Sequence, residues 1–270
     1  MTPIISADAL AQLLASDEDV VLLDARPGGY EAGHLRGAQR ADLETQLSAA
    51  RDEGANPARG GRHPLPPLGR WTRQLGAWGI GPETRVVIYD DQLGANAAAR
   101  AWWMLRAVGH ARVSVLDGGL AAAAAAGLET TTDVPAVEAR PPYPVAEWQR
   151  PTVDMKRVDV LRNDGGWKVL DVRSAERFRG ETEPIDPVAG HIPGAVNLPF
   201  AENLELGRFK SPQQLRALYE DLLGETPADR LIVHCGSGVT ACHTLLALEA
   251  AGLGGAALYV GSWGEWCRNP

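Results

Sequence analysis

Short runs of β-branched residues and leucine occur at residues 20–24, 85–89 and 112–116, and again at 168–171, 230–234 and 256–260. They are apolar throughout instead of alternating, the pattern of strands buried on both faces. Amphipathic segments with apolar positions at helical spacing lie between them, at 7–15, 70–78, 95–108, 154–163, 212–223 and 238–251. Ser6 and the pair Ser211-Pro212 mark helix starts, because a serine hydroxyl caps orphan amides and proline fits the first turn. Strands that alternate with helices and carry no polar face predict an α/β fold, in which parallel sheets are covered by helices on both faces.

The pattern occurs twice. Val21-Leu22-Leu23-Asp24-Ala25-Arg26 returns as Val169-Leu170-Asp171-Val172-Arg173, and Gly33-His34-Leu35-Arg36-Gly37-Ala38 as Gly190-His191-Ile192-Pro193-Gly194-Ala195. Arg85-Val86-Val87-Ile88-Tyr89-Asp90 returns as Arg230-Leu231-Ile232-Val233-His234-Cys235. Spacing is kept as well: Asp24 to Asp90 is 66 residues and Asp171 to Cys235 is 64. Order, spacing and residue type together indicate a duplicated domain. Pro135, Pro141, Pro142, Pro144 and Pro151 crowd the stretch between the copies and block regular hydrogen bonding. The expected division is a first domain over 1–133, a proline-rich linker over 134–151 and a second domain over 152–270.

Composition narrows the function. The chain has 270 residues, 45% hydrophobic and 22% charged, enough for two cores. A net charge of −8 without a Lys/Arg stripe excludes a nucleic-acid or anionic-membrane partner. No apolar run approaches ~20 residues, so no spanning helix is expected. Residues Met1 to Asp8 show neither a cationic region nor a long apolar stretch, so no signal peptide is expected. Three cysteines are too few for a disulfide framework in such a chain. A soluble, cytoplasmic protein follows as the expectation.

The richest chemistry lies in His234-Cys235-Gly236-Ser237-Gly238-Val239-Thr240-Ala241-Cys242-His243. Cys235 falls just past a predicted strand and before a predicted helix, where open α/β sheets place ligands. Two glycines in the next three residues let the loop close around one point, with amides facing inward as an anion cradle that favours a thiolate. Cys242 falls within an apolar helical pattern and reads as core, and Cys267 reads as structural. A zinc site from His234, Cys235, Cys242 and His243 is disfavoured, because adjacent residues on a strand or helix point apart. A cysteine phosphatase would need an arginine six residues after the nucleophile. This chain has Ala241 there, so phosphoryl transfer loses its clamp.

These marks, with Gly261-Ser262-Trp263-Gly264-Glu265-Trp266, resemble the tandem-domain rhodanese family of sulfurtransferases over nearly the whole chain. The resemblance implies two rhodanese-like domains, of which only the second is catalytic, since Asp90 stands where the second has Cys235. It implies ping-pong sulfur transfer with no metal or organic cofactor. Cys235 takes sulfur from a small anionic donor as a persulfide and passes it to an acceptor such as cyanide, a thiol or a thioredoxin-like dithiol. The loop Gly236-Ser237-Gly238-Val239-Thr240 carries no cation and is similar to that of mercaptopyruvate sulfurtransferases, so mercaptopyruvate is favoured, with thiosulfate as the alternative.

By the same resemblance, Gly236, Gly238, Val239, Thr240 and Arg177 bind the donor, and Ser237 belongs to a relay with His63 and Glu44. His63 would reach over from the first domain to a site built mostly from the second. The chain departs from the pattern in two places. Glu44 replaces a typical aspartate, and Glu183-Pro184-Ile185-Asp186-Pro187 lacks a second donor-binding arginine, which Arg179 would have to replace. Asp24, Arg26, Asp171, Arg173, His34 and His191 recur in the copy without a nucleophile and therefore read as structural. Trp102, Trp103, Trp263 and Trp266 read as packing. A reading from another class is a non-catalytic binding or redox-sensing module.

Overall fold

The computed structural model describes residues 2–16 and 18–269. The chain forms two compact units, Met1–Ser48 with Pro66–Gln149, and Ala49–Leu65 with Arg150–Pro270.

In the first unit the elements run β1 (Ile4–Ile5), α1 (Ala7–Leu14), β2 (Val20–Asp24), β3 (His34–Leu35), β4 (Ala38–Arg40), α2 (Leu68–Ala77), β5 (Arg85–Tyr89), α3 (Ala97–Arg106), β6 (Val113–Leu116), α4 (Gly119–Ala125) and β7 (Thr130–Thr131). Five strands form a parallel sheet in the order β1-β6-β5-β2-β4. Ser6 caps α1 by accepting from the Ala9 amide, as its position in the sequence suggests. Leu10, Leu22, Val87, Tyr89 and Leu116 meet in one core cluster, which buries the apolar face of α1 against the sheet.

The second unit repeats this plan: β8 (Thr152–Val153), α5 (Met155–Leu161), β9 (Lys168–Asp171), α6 (Ala175–Phe178), β10 (Val196–Asn197), β11 (Leu204–Glu205), β12 (Arg208–Phe209), α7 (Pro212–Leu223), β13 (Leu231–His234), α8 (Ala241–Ala250), β14 (Ala257–Tyr259) and α9 (Ser262–Trp266). Its parallel sheet has the order β10-β9-β13-β14-β8, the same topology strand for strand. Ser211 and Gln214 close a capping box on α7, with Pro212 in the first turn. Each unit is thus an α/β domain whose central parallel sheet is flanked by helices, as the periodicities predict.

The recurring Asp-x-Arg pairs do the same work in both units. Arg173 clasps Asp171 through Nε at 3.0 Å and Nη2 at 2.6 Å, and Nη2 also donates to the Gly190 carbonyl at 2.7 Å. Arg26 repeats this on Asp24 and the Gly33 carbonyl. The pair ties the end of the second-copied strand to the Gly-His loop. His34 and His191 serve the same loops, each with Nδ1 at 2.8 Å from a carbonyl, of Tyr30 and Phe178 respectively.

Residues 132–151 hold no helix or strand, in line with their prolines. They are laced to the first unit by backbone bonds from Arg140 to Gly76, Tyr143 to Thr72 and Gln149 to Ala107. Among the described residues no helix is long and apolar enough to cross a membrane.

The loop after β5 shows what became of the first copy's cradle. Asp90 is fully buried, and both its oxygens accept: Oδ1 from the Gln92 and Gly94 amides at 2.9 and 2.8 Å, Oδ2 from those of Asn96 and Ala98 at 3.3 Å each. Burial holds its pKa above the usual carboxylate range, and the four amides offset that only in part. The ring of amides is thus filled by a carboxyl group that the chain itself supplies.

Candidate active site

Cys235 follows β13 directly and is 3% exposed. It stands at the carboxyl end of the central strand of its sheet, where loops open outward. The Ser237 amide faces its Sγ at 3.5 Å, so the turn wraps back onto the sulfur. Gly238 makes this turn possible: its φ is +71°, and a Cβ there would sit 2.4 Å from the Val260 carbonyl oxygen. Val239 and Thr240 then start α8, with their carbonyls accepting from Cys242 and His243. The Gly236–Thr240 loop is therefore fastened to a strand at one end and a helix at the other.

The far side of the loop is held by α9. The Cys235 amide donates to Ser262 Oγ at 3.2 Å, and the amides of Trp263 and Gly264 donate to the carbonyls of Cys235 and Gly236 at 3.0 and 2.9 Å. Ser262 adopts φ +56°, a costly conformation for a non-glycine residue, and its hydroxyl also donates to the Tyr259 carbonyl. The Gly-Ser-Trp-Gly signature is thus a clamp on the backbone of the nucleophile loop. Trp263 packs in the core below, with Arg173 over its ring at 5.0 Å. His234 points its Nδ1–H to the Cys235 carbonyl at 3.2 Å; burial lowers its pKa, against the pull of Asp171, and keeps it neutral.

A second segment comes to the loop from earlier in the chain. Sequence periodicity puts His63 in the first domain, yet residues 49–65 pack with the second unit. The Gly60 amide donates to Glu265 at 2.6 Å, and Asn269 donates to the Ala58 carbonyl at 3.0 Å. Gly61, at φ +82°, passes so close to Gly261 that a Cβ would lie 2.5 Å from its oxygen. This docking carries Arg62 and half-buried His63. Glu44 lies in the first unit, half-buried, between β4 and α2.

Around Gly236 the electrostatics are set by arginines. Arg177, on α6, grips Glu183 through Nε at 3.3 Å and Nη2 at 2.7 Å. Burial raises the Glu183 pKa, but the bonds from Arg177 and from the amides of Asp186 and Ile185 outweigh it, so the carboxylate titrates below its usual range. Asp186, wholly buried, faces Arg268 at 2.9 Å and Arg62 at 3.2 Å. Together with the Asp171–Arg173 pair, four guanidinium groups meet three carboxylates in this cluster, leaving it net positive beside the thiol. Arg179 pairs with Glu181 on the surface and stands apart from this cluster. Of the residues singled out in the sequence, Cys235, Ser237 and Arg177 come together around this loop. Arg62, Ser262 and Asp186 were not assigned a role, because their effect depends on where the 49–65 segment and α9 dock.

The rhodanese-like domain profile matches residues 6–126 and 154–269. A Pseudomonas aeruginosa protein bearing the name of a 3-mercaptopyruvate sulfurtransferase is 42% identical over 283 residues, covering 99% of this chain and 95% of that one. A Mycobacterium tuberculosis protein carrying the name of a thiosulfate sulfurtransferase is 39% identical over 280 residues, covering 99% and 94%. Among solved structures, 3-mercaptopyruvate sulfurtransferase from Leishmania major superposes with a TM-score of 0.83 at 30% identity, over 99% of this chain and 74% of that one. Matches of this extent in both halves, together with the shared topology, make the chain a member of the rhodanese-like family, with two copies of its domain in tandem.

Proposed function

We propose that the chain is a sulfurtransferase that works through a persulfide on Cys235, with 3-mercaptopyruvate as the preferred donor. The observation that carries this reading is the asymmetry of the nucleophile loop. Gly236 to Thr240 offer the sulfur only backbone and small side chains, while the cations stand to one side, at Gly236. A donor whose charge is remote from its transferable sulfur fits that separation better than a compact dianion. The Pseudomonas relative's name and the Leishmania structure support it.

In the first half-reaction the Cys235 thiolate attacks the donor sulfur. An S–S bond forms, the donor C–S bond breaks, and its electron pair leaves as the enolate of pyruvate, which takes up a proton. Ser237, next but one to Cys235, has a hydroxyl able to deliver that proton, and His63 on the docked segment is the group to restore it. Arg177 holds the donor carboxylate. In the second half-reaction a thiophilic acceptor, cyanide or a thiol, attacks the outer sulfur and returns the thiolate.

Thiosulfate is the second reading, favoured by the name of the Mycobacterium relative. Its outer sulfur would be taken with sulfite as leaving group, which needs no proton. Thiocyanate formation from cyanide, measured with both donors side by side, tests the choice. The kcat/KM for mercaptopyruvate is expected to exceed that for thiosulfate by about tenfold or more, the scale of one well-placed polar interaction. A reversed ratio would reassign the donor. Turnover with neither would remove the sulfurtransferase reading and leave a binding module.

A further inference from the structure

The resemblance calls for a second donor-binding arginine shortly before Gly190-His191, and this chain has Asp186 in that stretch. A buried carboxylate cannot receive an anion, but it can fix where cations point. Asp186 draws in Arg268, Arg62 and, at 3.8 Å, Arg177. Of these, Arg62 keeps an edge open. Its Nε faces Asp186, while its two Nη groups donate to no protein group among the described residues. That edge is aimed at the nucleophile loop: Nη2 lies 2.8 Å from the position a Cβ on Gly236 would take, and the side chain is 22% exposed. Arg177 is more committed. Two of its nitrogens hold Glu183, and it approaches the same position only to 3.5 and 3.8 Å.

We propose that Arg62 is the second anion-binding arginine of the Cys235 site. It takes the carboxylate of mercaptopyruvate, or the sulfonate end of thiosulfate, over Gly236 together with Arg177. The guanidinium missing from the 183–187 stretch is supplied by the 49–65 segment, and Asp186 turns from a gap in the motif into the anchor that recruits it. Gly236 is then a glycine because the bound group and Arg62 need the space above its Cα. The proposal rests on the sulfurtransferase reading for the identity of the donor, though not for the existence of the anion site.

The test separates the two. Cys235 is alkylated with iodoacetate and with neutral iodoacetamide, and each rate is read on the Cys235 peptide by mass spectrometry. Both reagents consume the same thiolate, so their rate ratio cancels any change in thiolate fraction and reports anion recruitment alone. Arg62→Gln is expected to lower the iodoacetate-to-iodoacetamide ratio about tenfold, the weight of one charge-assisted hydrogen bond. Arg62→Lys, which keeps the charge against Asp186 but loses the fork, restores part of the ratio. In steady state, Arg62→Gln raises KM for both donors more than it lowers kcat. A ratio within about twofold of wild type in Arg62→Gln, or in Arg62→Met should the glutamine variant not fold, overturns the proposal. If wild type turns over neither donor while the ratio still falls in Arg62→Gln, the anion site stands and the sulfurtransferase reading fails.

Discussion

Replacing Cys235 with alanine removes thiocyanate formation from either donor, a loss on the order of a thousandfold or more, because no other group in the site can carry the covalent sulfur. The two remaining thiols are poorly placed to substitute. Cys242 is fully buried on α8 and directs its Sγ to the Gly238 carbonyl at 3.4 Å. Cys267 lies beyond α9, where burial and the nearby Asp186 raise its pKa and deplete the thiolate at neutral pH. Mass spectrometry after donor alone should show one added sulfur on the Cys235 peptide of the wild type and none on the variant. A variant retaining more than about a tenth of wild-type kcat/KM would show that the nucleophile has been misassigned.

Arg173→Met is expected to cost about 3–5 kcal/mol of stability, the range for removing one member of a buried ion pair. The side chain is 2% exposed and contacts two carboxylates, Asp171 at 2.6 Å and Glu183 at 3.1 Å. Methionine fills much of the volume but leaves Asp171 buried without its cation and the Gly190 carbonyl without its donor. Glu183 keeps Arg177, so part of the charge remains compensated. Urea unfolding monitored in the second unit measures the change. A loss below about 1 kcal/mol would mean that Asp171 takes up a proton or that water reaches it.

The fold was readable where one strand or helix carries its own instruction. The apolar runs at 20–24, 85–89 and 168–171 coincide with β2, β5 and β9, and 212–223 with α7. The two-residue edge strands β1, β8 and β10 were not readable, since so short a stretch is extended only because a neighbour's edge receives it. Helix α4 escaped for another reason: Gly119 followed by leucine and a run of alanines has no polar face and thus no helical period. In the site, Cys235 and Ser237 declare themselves because strand, glycines and helix are contiguous. Arg62 does not. Its segment has no periodicity, and what brings it to Gly236 is the contact of Gly60 with Glu265 and of Gly61 with Gly261, about 200 residues away along the chain. Spacing rules describe neighbours in sequence, and this arginine acts through neighbours in space.

The buried carboxylate of Asp90 gives the duplicated half a fixed saturation. A dissolved anion occupies a site in proportion to its concentration, whereas a side chain rooted in the same loop is present at an effective concentration that no solute can match. The amides after β5 are therefore filled at every ionic composition, and no diffusing donor, product or buffer ion can exchange into them. The loop after β13 carries the shorter side chain of Cys235 at the same position and leaves occupancy to the solution. Gene duplication has thus left two receptacles of one design, one permanently closed by its own side chain and one left open to solutes.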